Sequence, residues 1–504
     1  MIKNFKWLLL ASLSLGIACS DDDSDSTGNV PVSPGSADFS KYVALGDSFA
    51  AGYSDNALFK RGQENSYPSF LAQQFALVGG GNFSVPFMVD NVGGFSMGGN
   101  QVPQFPTRLY FNGVGPVNVS GVSGTSITDQ LSGTFNNLGV PGAKSFHLTA
   151  AGYGAANPYF GRFDSSASAS VIGDAVVQNP TFFSLWIGGN DVLSYATSGG
   201  VGVNRTGNLN PSTYGPNDIT DPTVFDNVYN GLVNALTANG AKGVVANLPY
   251  INTLPYFTTV PYNPVPLDAA TANQLNTQLL GPVKQILTAY GQGDRIATLA
   301  AGTSNPLLIK DESLVDYSVQ ITTALVGAGV PAPQAGLMGS LYGQARHAKK
   351  LANGSFVDYI LLPTRTIIGT PQAGVPAPFN TVGVTYPLQD GNVLTNAEVG
   401  EVKVATDAYN ATIKNVAEAK GLAMVDTKAI MAQLLNGGIR FGNYHLTATY
   451  VTGGAFSLDG VHPSARGYAF IANEFLKAIE ATYGASIPEI NIGNYPIQYP
   501  QTLN

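Results

Sequence analysis

The chain has 504 residues with 24 Lys or Arg and 32 Asp or Glu, which gives a formal net charge of −8. This balance argues against a nucleic-acid-binding protein, because phosphate binding needs a basic surface. The hydrophobic fraction is 44%, with 25 Phe and 24 Tyr, so the chain can bury a large core and global disorder is excluded. The 59 Gly and 31 Pro predict many turns and long loops.

The first residues have the pattern of a signal peptide. Two lysines precede a mostly apolar run over residues 7–17, which is too short to span a bilayer, and Cys19 follows as the only cysteine. No intrachain disulfide or cysteine-based zinc site is therefore expected. The segment resembles a bacterial lipoprotein signal, in which residues 1–18 are removed and Cys19 is lipidated, although Gly16 replaces the usual aliphatic residue. The alternative is an ordinary secretory signal with an incidental cysteine.

The lipoprotein resemblance implies a protein of the cell envelope, an outer-membrane lipoprotein attached through its N-terminal lipid. Residues 19–38 contain five aspartates and almost no apolar side chains, so they predict an acidic flexible tether. Acidic residues after a lipidated cysteine also resemble a surface-export signal of some Gram-negative lipoproteins. A merely solvated spacer is the alternative.

Short apolar runs alternate along the chain with segments of helical periodicity. The runs cover residues 42–45, 182–187, 242–248 and 422–426. Nearly continuous apolar runs of this length are typical of strands buried on both faces of a parallel sheet. Helices are predicted over residues 67–77, 222–239, 397–420 and 465–483. This alternation predicts an α/β fold with a mostly parallel sheet between helices.

Several segments interrupt the alternation. Residues near 93–135, 193–220, 250–270 and 300–395 are rich in Gly, Pro, Asn, Ser and Thr, and their apolar residues keep no sustained period. Insertions of this length in a compact domain are usually lids, binding loops or small subdomains. Residues 485–504 contain three prolines and predict an extended C-terminal tail.

Ser48 lies in the segment Gly46-Asp47-Ser48, directly after the first predicted strand. A serine at a turn between a strand and a helix places its hydroxyl at the carboxyl edge of the sheet, where α/β proteins bind ligands. This is the position of a nucleophile. The alternative is that Asp47 and Ser48 only cap the helix.

Asp459 and His462 lie in a loop just before the last predicted helix, with Gly460 between them. A carboxylate on one ring nitrogen fixes the tautomer of a histidine and leaves the other nitrogen free to take a proton from a serine. Their spacing allows the two side chains to meet within one turn. The alternative is a loop aspartate and a helix-capping histidine.

Two further segments could stabilise an oxyanion. Asn190 follows the second apolar run, where its side-chain amide can donate a hydrogen bond. Gly142 ends the segment 137–142 and could donate through its backbone N–H. Each segment alone is also an ordinary turn sequence.

Taken together and in this order, the four segments resemble the consensus blocks of the SGNH hydrolase family, also called GDSL esterases and lipases. The matches cover about 35 residues, at 42–52, 137–142, 186–191 and 457–468. The resemblance implies a three-layer α/β/α sandwich of the flavodoxin-like kind over residues 39–484. It differs from the family pattern at Phe49, which replaces the Leu of the GDSL string, and in the length of the insertions.

The resemblance also implies a role for each matching residue. The catalytic triad falls on Ser48, Asp459 and His462, and the oxyanion hole on the backbone N–H groups of Ser48 and Gly142 with the Asn190 amide. The implied reaction is ester hydrolysis through an acyl-enzyme, with no metal and no organic cofactor. The expected partners are an ester substrate and the membrane, with no nucleic acid.

Three alternatives remain open at this point. The substrate could be a lipid or other acyl ester at the cell envelope, or an O-acetyl group on a carbohydrate. The same scaffold could instead be a non-catalytic surface lipoprotein that binds glycan or lipid. A competing nucleophile is Ser96, because residues 94–98 match G-x-S-x-G after a possible strand at 86–92, although residues 99–103 are a poor helix start.

Overall fold

The computed structural model describes residues 31–350 and 357–503. The predicted signal peptide, Cys19 and most of the predicted tether lie outside the described residues. The folded unit begins at Val32, and Ser33 pairs there with Ser486 through a short antiparallel bridge. The last residues assigned to the tether therefore belong to the folded unit.

A five-stranded parallel sheet forms the centre of the molecule. Its strands are β1 Tyr42–Gly46, β2 Asn137–Gly139, β3 Phe182–Trp186, β4 Lys242–Ala246 and β5 Ala423–Val425. The strand order is β5-β4-β3-β1-β2, and every neighbouring pair is parallel. All residues of β1 and β3 are buried, as expected for strands covered on both faces. The predicted α/β fold with a parallel sheet is confirmed.

Helices cover the sheet and connect its strands. The main ones are α1 Ser48–Ala51, α2 Tyr67–Ala76, α3 Asn190–Thr197, α4 Pro222–Thr237, α5 Asn396–Lys420, α6 Thr427–Leu435 and α7 Ala465–Tyr483. Helix α5 begins with a capping box between Thr395 and Glu398, and Gly421 and Gly484 end α5 and α7 in the left-handed conformation. These local signals explain why the predicted helices agree closely with the observed ones.

Aromatic side chains join the sheet to the helices. On one face, Tyr42 contacts Phe75 of α2, and the rings of Trp186 and Phe475 of α7 lie 6.1 Å apart. Helices α4 and α5 pack on each other through the stacked rings of Phe225 and Tyr409, 4.2 Å apart. Residues alternate between the two faces of a strand, so the sheet can contribute to both apolar layers.

The long segment between β4 and α5 contains regular structure of its own. Its helices include Leu280–Ala289, Ser318–Gly327 and Ala332–Tyr342. Two antiparallel strand pairs accompany them, Val265–Leu267 with Gly302–Asn305 and Leu308–Lys310 with Ala345–His347. These elements enclose two apolar cores separate from that of the sheet. The segment is therefore a subdomain, one of the possibilities that the composition left open.

The sequence did not reveal two of these helices, Ser318–Gly327 and Ala332–Tyr342, because glycine there serves packing. A Cβ atom at Gly339 would lie 2.1 Å from Thr322 Oγ1 of the neighbouring helix. Glycine in this position permits the close approach of the two helices, whereas in the sequence it suggested a turn.

Shorter elements complete the described chain. The strands are Ser96–Met97, Asn100–Gln101, Leu109–Phe111, Pro116–Asn118, Tyr359–Ile360, Val393–Leu394, Ile439–Phe441 and Tyr444–Leu446. The short helices include Lys60–Glu64, Pro158–Gly161, Val171–Val176, Pro255–Thr258 and Ala269–Gln274, the last followed by a π-helical turn, Leu275–Leu279. The possible strand at 86–92 is wrong, because these residues form loops and bends whose backbone pairs with no strand.

Two observations concern membranes and metals. Within residues 31–350 and 357–503, no helix has both the length and the apolar character needed to cross a bilayer. Over the same ranges, no cluster of three or more His, Cys, Asp or Glu is arranged to hold a metal ion.

A buried arginine holds two carboxylates of the subdomain, and one of these carboxylates contacts α5. Arg346 Nε lies 2.6 Å from Asp311 Oδ2, and its Nη1 and Nη2 lie 2.6 and 2.8 Å from the two carboxylate oxygens of Asp358. Asp358 also accepts the backbone N–H of Asn396, the first residue of α5. Burial opposes ionisation of Asp311, but hydrogen bonds from Ser313 and Arg346 and the charge of Arg346 lower its pKa.

We expect Arg346→Met to lower the free energy of unfolding by about 3–5 kcal/mol, because it leaves two buried carboxylates without their cation. Urea denaturation at neutral pH measures this loss. The matched control is Lys414→Met, which removes an exposed lysine 3.7 Å from Glu418 and should change stability by less than about 1 kcal/mol. Equal effects of the two substitutions would contradict the assignment.

Candidate active site

Ser48, His462 and Asp459 form one continuous hydrogen-bonded chain. Ser48 Oγ lies 2.8 Å from His462 Nε2, and His462 Nδ1 lies 2.9 Å from Asp459 Oδ2. The structure thus brings together the three residues predicted from the sequence to be catalytic. Ser48 and His462 are 414 positions apart in the chain. An imidazole in this position can accept the serine proton on one nitrogen while the carboxylate holds the other.

The Asp459 carboxylate is held from several directions. Its Oδ1 accepts the backbone N–H groups of Val461 and His462, both at 2.8 Å, and its Oδ2 accepts the backbone N–H of Asn56 at 3.0 Å. Burial opposes ionisation, but the charge and hydrogen bond of His462 and these backbone donors lower the pKa of Asp459. The carboxylate therefore stays ionised and oriented toward the imidazole.

Two aromatic rings flank the imidazole. The ring of Tyr53 lies 4.7 Å from that of His462, and the ring of Phe49 lies 5.2 Å from it. Tyr53 is itself fixed, because its hydroxyl donates to Asn56 O at 2.7 Å and its carbonyl accepts the Tyr468 hydroxyl at 2.7 Å. These contacts restrict the ring of His462 to the orientation that faces Ser48.

Ser48 is the first residue of α1, directly after β1. Asp47 caps this helix, since its Oδ1 accepts the Phe49 N–H at 3.0 Å, and burial raises the pKa of Asp47 to about 7. The end of β2 packs closely against α1: a Cβ atom at Gly139 would lie 2.3 Å from Ala51 N. Asp47 therefore caps the helix, whereas Ser48 faces the histidine instead of acting as a second cap.

Three N–H donors converge beside Ser48. Gly142 and Asn190 line the same cavity as Ser48 and His462. The backbone N–H groups of Ser48 and Gly142 have no acceptor among the described residues, and the Asn190 amide donates one hydrogen to Ala143 O at 3.0 Å, which leaves the other free. Gly142 has a φ of +79°, which favours glycine at this turn.

Asp191 holds the donor segments together. Its two carboxylate oxygens accept the Ser145 hydroxyl at 2.7 Å and the Ser145 backbone N–H at 2.8 Å. Because Asp191 follows Asn190 and Ser145 lies three residues after Gly142, this buried pair links the two segments that contain the predicted oxyanion donors. Sequence reasoning missed Asp191 and Ser145, since either residue alone is a common capping or loop residue.

Ser48, Asp459 and His462 line a cavity of about 520 Å³. Its volume lies within the range of about 300–1,000 Å³ that is usual for small-molecule sites. Phe105, Tyr159 and Tyr256 supply aromatic walls. Phe105 and Tyr256 come from the insertions near 93–135 and 250–270, so residues distant in sequence from the four matching segments shape the space around Ser48.

Ser96 has a different environment. It lies in a two-residue strand, is followed by a tight hairpin rather than a helix, and its hydroxyl donates to Thr125 O at 3.2 Å. The described residues place no histidine against it. The helix that a nucleophile elbow needs is absent here, as residues 99–103 suggested.

The loop after α1 contains two residues that sequence reasoning missed. Asp55 and Asn56 have positive φ values of 50° and 63°, which Asp and Asn tolerate better than most residues. Asp55 Oδ1 accepts the Leu458 N–H at 2.8 Å, while Asn56 donates to Asp459. The turn residues were visible in the sequence, but their contact with a loop 403 positions away was not.

Comparison with known proteins finds no matching protein family and no matching curated protein. Among solved structures, the chain is similar to LAE5, an α/β-hydrolase enzyme from the metagenome of Lake Arreo, Spain, with 12% identity, a TM-score of 0.31, and coverage of 88% of this chain and 97% of that one. It is also similar to a variant of Axe2, an acetyl-xylooligosaccharide esterase from Geobacillus, with 11% identity, a TM-score of 0.31, and coverage of 88% and 95%. An extracellular lipase from Streptomyces rimosus matches with 11% identity, a TM-score of 0.27, and coverage of 88% and 98%.

The buried Asp55 carboxyl predicts how stability depends on pH. Burial is the main reason that its pKa rises from 3.8 to about 7, and its Oδ2 has no hydrogen-bond partner. A pKa raised by folding contributes stability below about pH 4 and loses that contribution as pH rises through about 7. We expect Asp55→Asn to reduce the loss of unfolding free energy between pH 5 and pH 8, measured by urea denaturation. The exposed control Asp294→Asn should keep the wild-type dependence; the same dependence in the Asp55 variant would contradict the prediction.

Proposed function

We propose that this protein is a serine ester hydrolase that works through an acyl-enzyme. The observation that carries the proposal is the hydrogen-bonded chain from Ser48 through His462 to Asp459, which opens into a cavity lined by Gly142 and Asn190. A nucleophile, an oriented base and converging N–H donors are the components that acyl transfer requires.

The first half of the reaction forms the acyl-enzyme. His462 Nε2 takes the proton of the Ser48 hydroxyl as Oγ attacks the ester carbonyl carbon. The carbonyl oxygen becomes an oxyanion, which accepts hydrogen bonds from the Ser48 and Gly142 N–H groups and the Asn190 amide. When the tetrahedral intermediate collapses, the bond to the alcohol oxygen breaks and His462 gives its proton to that alcohol.

The second half releases the acid. A water molecule takes the place of the alcohol and loses a proton to His462 as it attacks the acyl carbon. The bond to Ser48 Oγ then breaks and the proton returns to Ser48. Asp459 holds the imidazole and stabilises its protonated form in both halves.

We propose further that the chain belongs to the SGNH hydrolases and acts on lipid or other acyl esters at the cell envelope. The order of the four matching segments supports the family, and the predicted lipidation of Cys19 supports the location. Carbohydrate O-acetyl esters remain the alternative substrates. A non-catalytic binding role fits less well, because the predicted catalytic positions hold complete functional groups within hydrogen-bond distance.

Substitution of Ser48 by Ala should reduce hydrolysis of a p-nitrophenyl acyl ester by at least about 10³-fold, because the nucleophile is lost. Ser96→Ala is the matched control and should retain wild-type turnover. A fluorophosphonate probe, which needs an activated serine, should label the wild type and the Ser96 variant but not the Ser48 variant. Turnover lost only in the Ser96 variant, or no labelling of the wild type, would overturn the proposal.

Substitution of Asn190 by Ala should lower kcat by about 10²–10³-fold with a smaller change in KM, because the lost amide acts on the oxyanion of the transition state. Ser194→Ala lies one turn further along α3 in the same cavity and should lower kcat by less than threefold, about 0.7 kcal/mol. Steady-state kinetics on the same ester distinguish the two. Similar losses in both variants would indicate general damage to α3.

A further inference from the structure

A second cavity lies beside the catalytic residues, at the carboxyl ends of β3, β4 and β5. Its volume is about 80 Å³. The side chains around it are almost all apolar and include Leu193, Leu248, Leu254, Met431, Leu434 and Phe470. Asp47 and Thr427 are the only polar side chains in its lining. No step of the acyl-transfer mechanism uses this space.

The apolar cavity touches the catalytic centre along the backbone. Asp47 and Phe49, on either side of Ser48, both line it. Gly189 and Pro463 line it as well, and they adjoin Asn190 and His462. Leu193 lines both this cavity and the one that contains Ser48. The two cavities are therefore neighbours, and Leu193 belongs to the lining of both.

Phe49 lines the apolar cavity and lies against the imidazole of His462, which lines the larger cavity. Its ring lies 5.2 Å from the ring of His462 and 4.8 Å from that of Trp186, and both Phe49 and Trp186 line the apolar cavity. The side chain is half-buried and packs at the edge of the core. Phe49 and Leu193 are therefore the side chains at the boundary between the apolar cavity and the residues around Ser48.

We propose that the apolar cavity holds the acyl chain of the substrate, and that Phe49 and Leu193 form its entrance. This inference rests on the proposed function. With the carbonyl at Ser48, the apolar chain would lie among the side chains of α6 and α7, while the alcohol part occupies the larger cavity with its Asn, Ser and Tyr side chains. An apolar chain is the occupant that a space with almost no hydrogen-bonding groups favours.

The size of the cavity limits the chain. A cavity needs about 10–15 Å³ of open volume to hold one water molecule, so a cavity of about 80 Å³ has room for roughly five to eight groups of that size. The acyl groups that fill it are medium-length chains of about six to eight carbons. An acetyl group would leave most of the space empty, and a palmitoyl chain would exceed it. The substrate class is therefore esters of medium-chain fatty acids.

A chain-length series tests the inference on the wild-type enzyme. The probes are p-nitrophenyl acetate, butyrate, hexanoate, octanoate and palmitate. Each buried methylene increases binding by up to about fourfold. We expect kcat/KM to rise at least tenfold from acetate to hexanoate or octanoate and to fall again for palmitate. A maximum at acetate would overturn the inference.

Two tryptophan variants on α6 test the position of the chain. Leu434 is buried and lines the cavity, whereas its neighbour Leu435 is 43% exposed and lies outside the lining. We expect Leu434→Trp to lower kcat/KM for octanoate at least tenfold and to change that for acetate by less than threefold. Leu435→Trp, the matched control, should keep the wild-type profile. A loss in Leu434→Trp that is the same for every chain length would overturn the inference.

Ile430→Phe and Phe49→Leu provide the same test with smaller changes in volume. Ile430 is half-buried at the edge of the cavity, so Phe there should shorten the preferred chain without unfolding the protein. Phe49→Leu should shift the preference toward longer chains, because the smaller side chain widens the entrance. An unchanged profile in both variants would overturn the inference.

Ser48→Ala separates this inference from the proposed function. If Ser48→Ala abolishes hydrolysis of acetate and the chain-length profile shows no preference for medium chains, the acyl-cavity inference fails and the esterase stands. If Ser48→Ala hydrolyses every ester as the wild type does, the proposed function fails, and the acyl-cavity inference fails with it.

Discussion

The hydrogen bond between Ser48 Oγ and His462 Nε2 is the contact on which the rest of the site depends. The two residues are 414 positions apart, and only the parallel sheet can bring them together reliably. Ser48 follows strand β1 at the carboxyl edge of the sheet, and the loop before α7 places His462 at the same edge. Burial of β1 and α7 in one apolar core stabilises this meeting point more than the single hydrogen bond could.

Buried carboxyl groups maintain the geometry around that contact. Asp459 accepts backbone N–H groups from two separate loops, Asp55 accepts the Leu458 N–H, and Asp191 accepts the Ser145 N–H and so links the segments that contain Gly142 and Asn190. Asp459 and Asp55 accept N–H groups of loop residues, and Asp191 accepts the N–H of the first residue of a 3-10 helix. A site built from loops needs such supports, because hydrogen bonds inside a low-dielectric region are strong and are costly to leave unmade.

The insertions supply part of the walls around Ser48 and His462. Phe105 and Tyr256 extend from two different insertions to the walls of the Ser48 cavity, and Asp358 of the subdomain, paired with Arg346, contacts the first residue of α5. The two cavities beside Ser48 differ in chemistry, one lined by polar and aromatic groups and the other almost entirely apolar. Ser48 lines the first of them, and its chain neighbours Asp47 and Phe49 line the second.

The sequence by itself determined four of the five central strands, the helices α2, α4, α5 and α7, and the residue types able to carry acyl transfer. Short apolar runs and capped periodic segments are local signals, which is why α7 is observed over the predicted residues. It did not reveal the three-residue strand β2 or the helices of the subdomain, where glycine serves close packing. Only the tertiary structure decided the distance from Ser48 to His462, the hydrogen bond from the Asn56 N–H to Asp459, and the position of Phe49 beside both His462 and the apolar cavity. These features depend on contacts between segments hundreds of residues apart, and no local pattern encodes such distances.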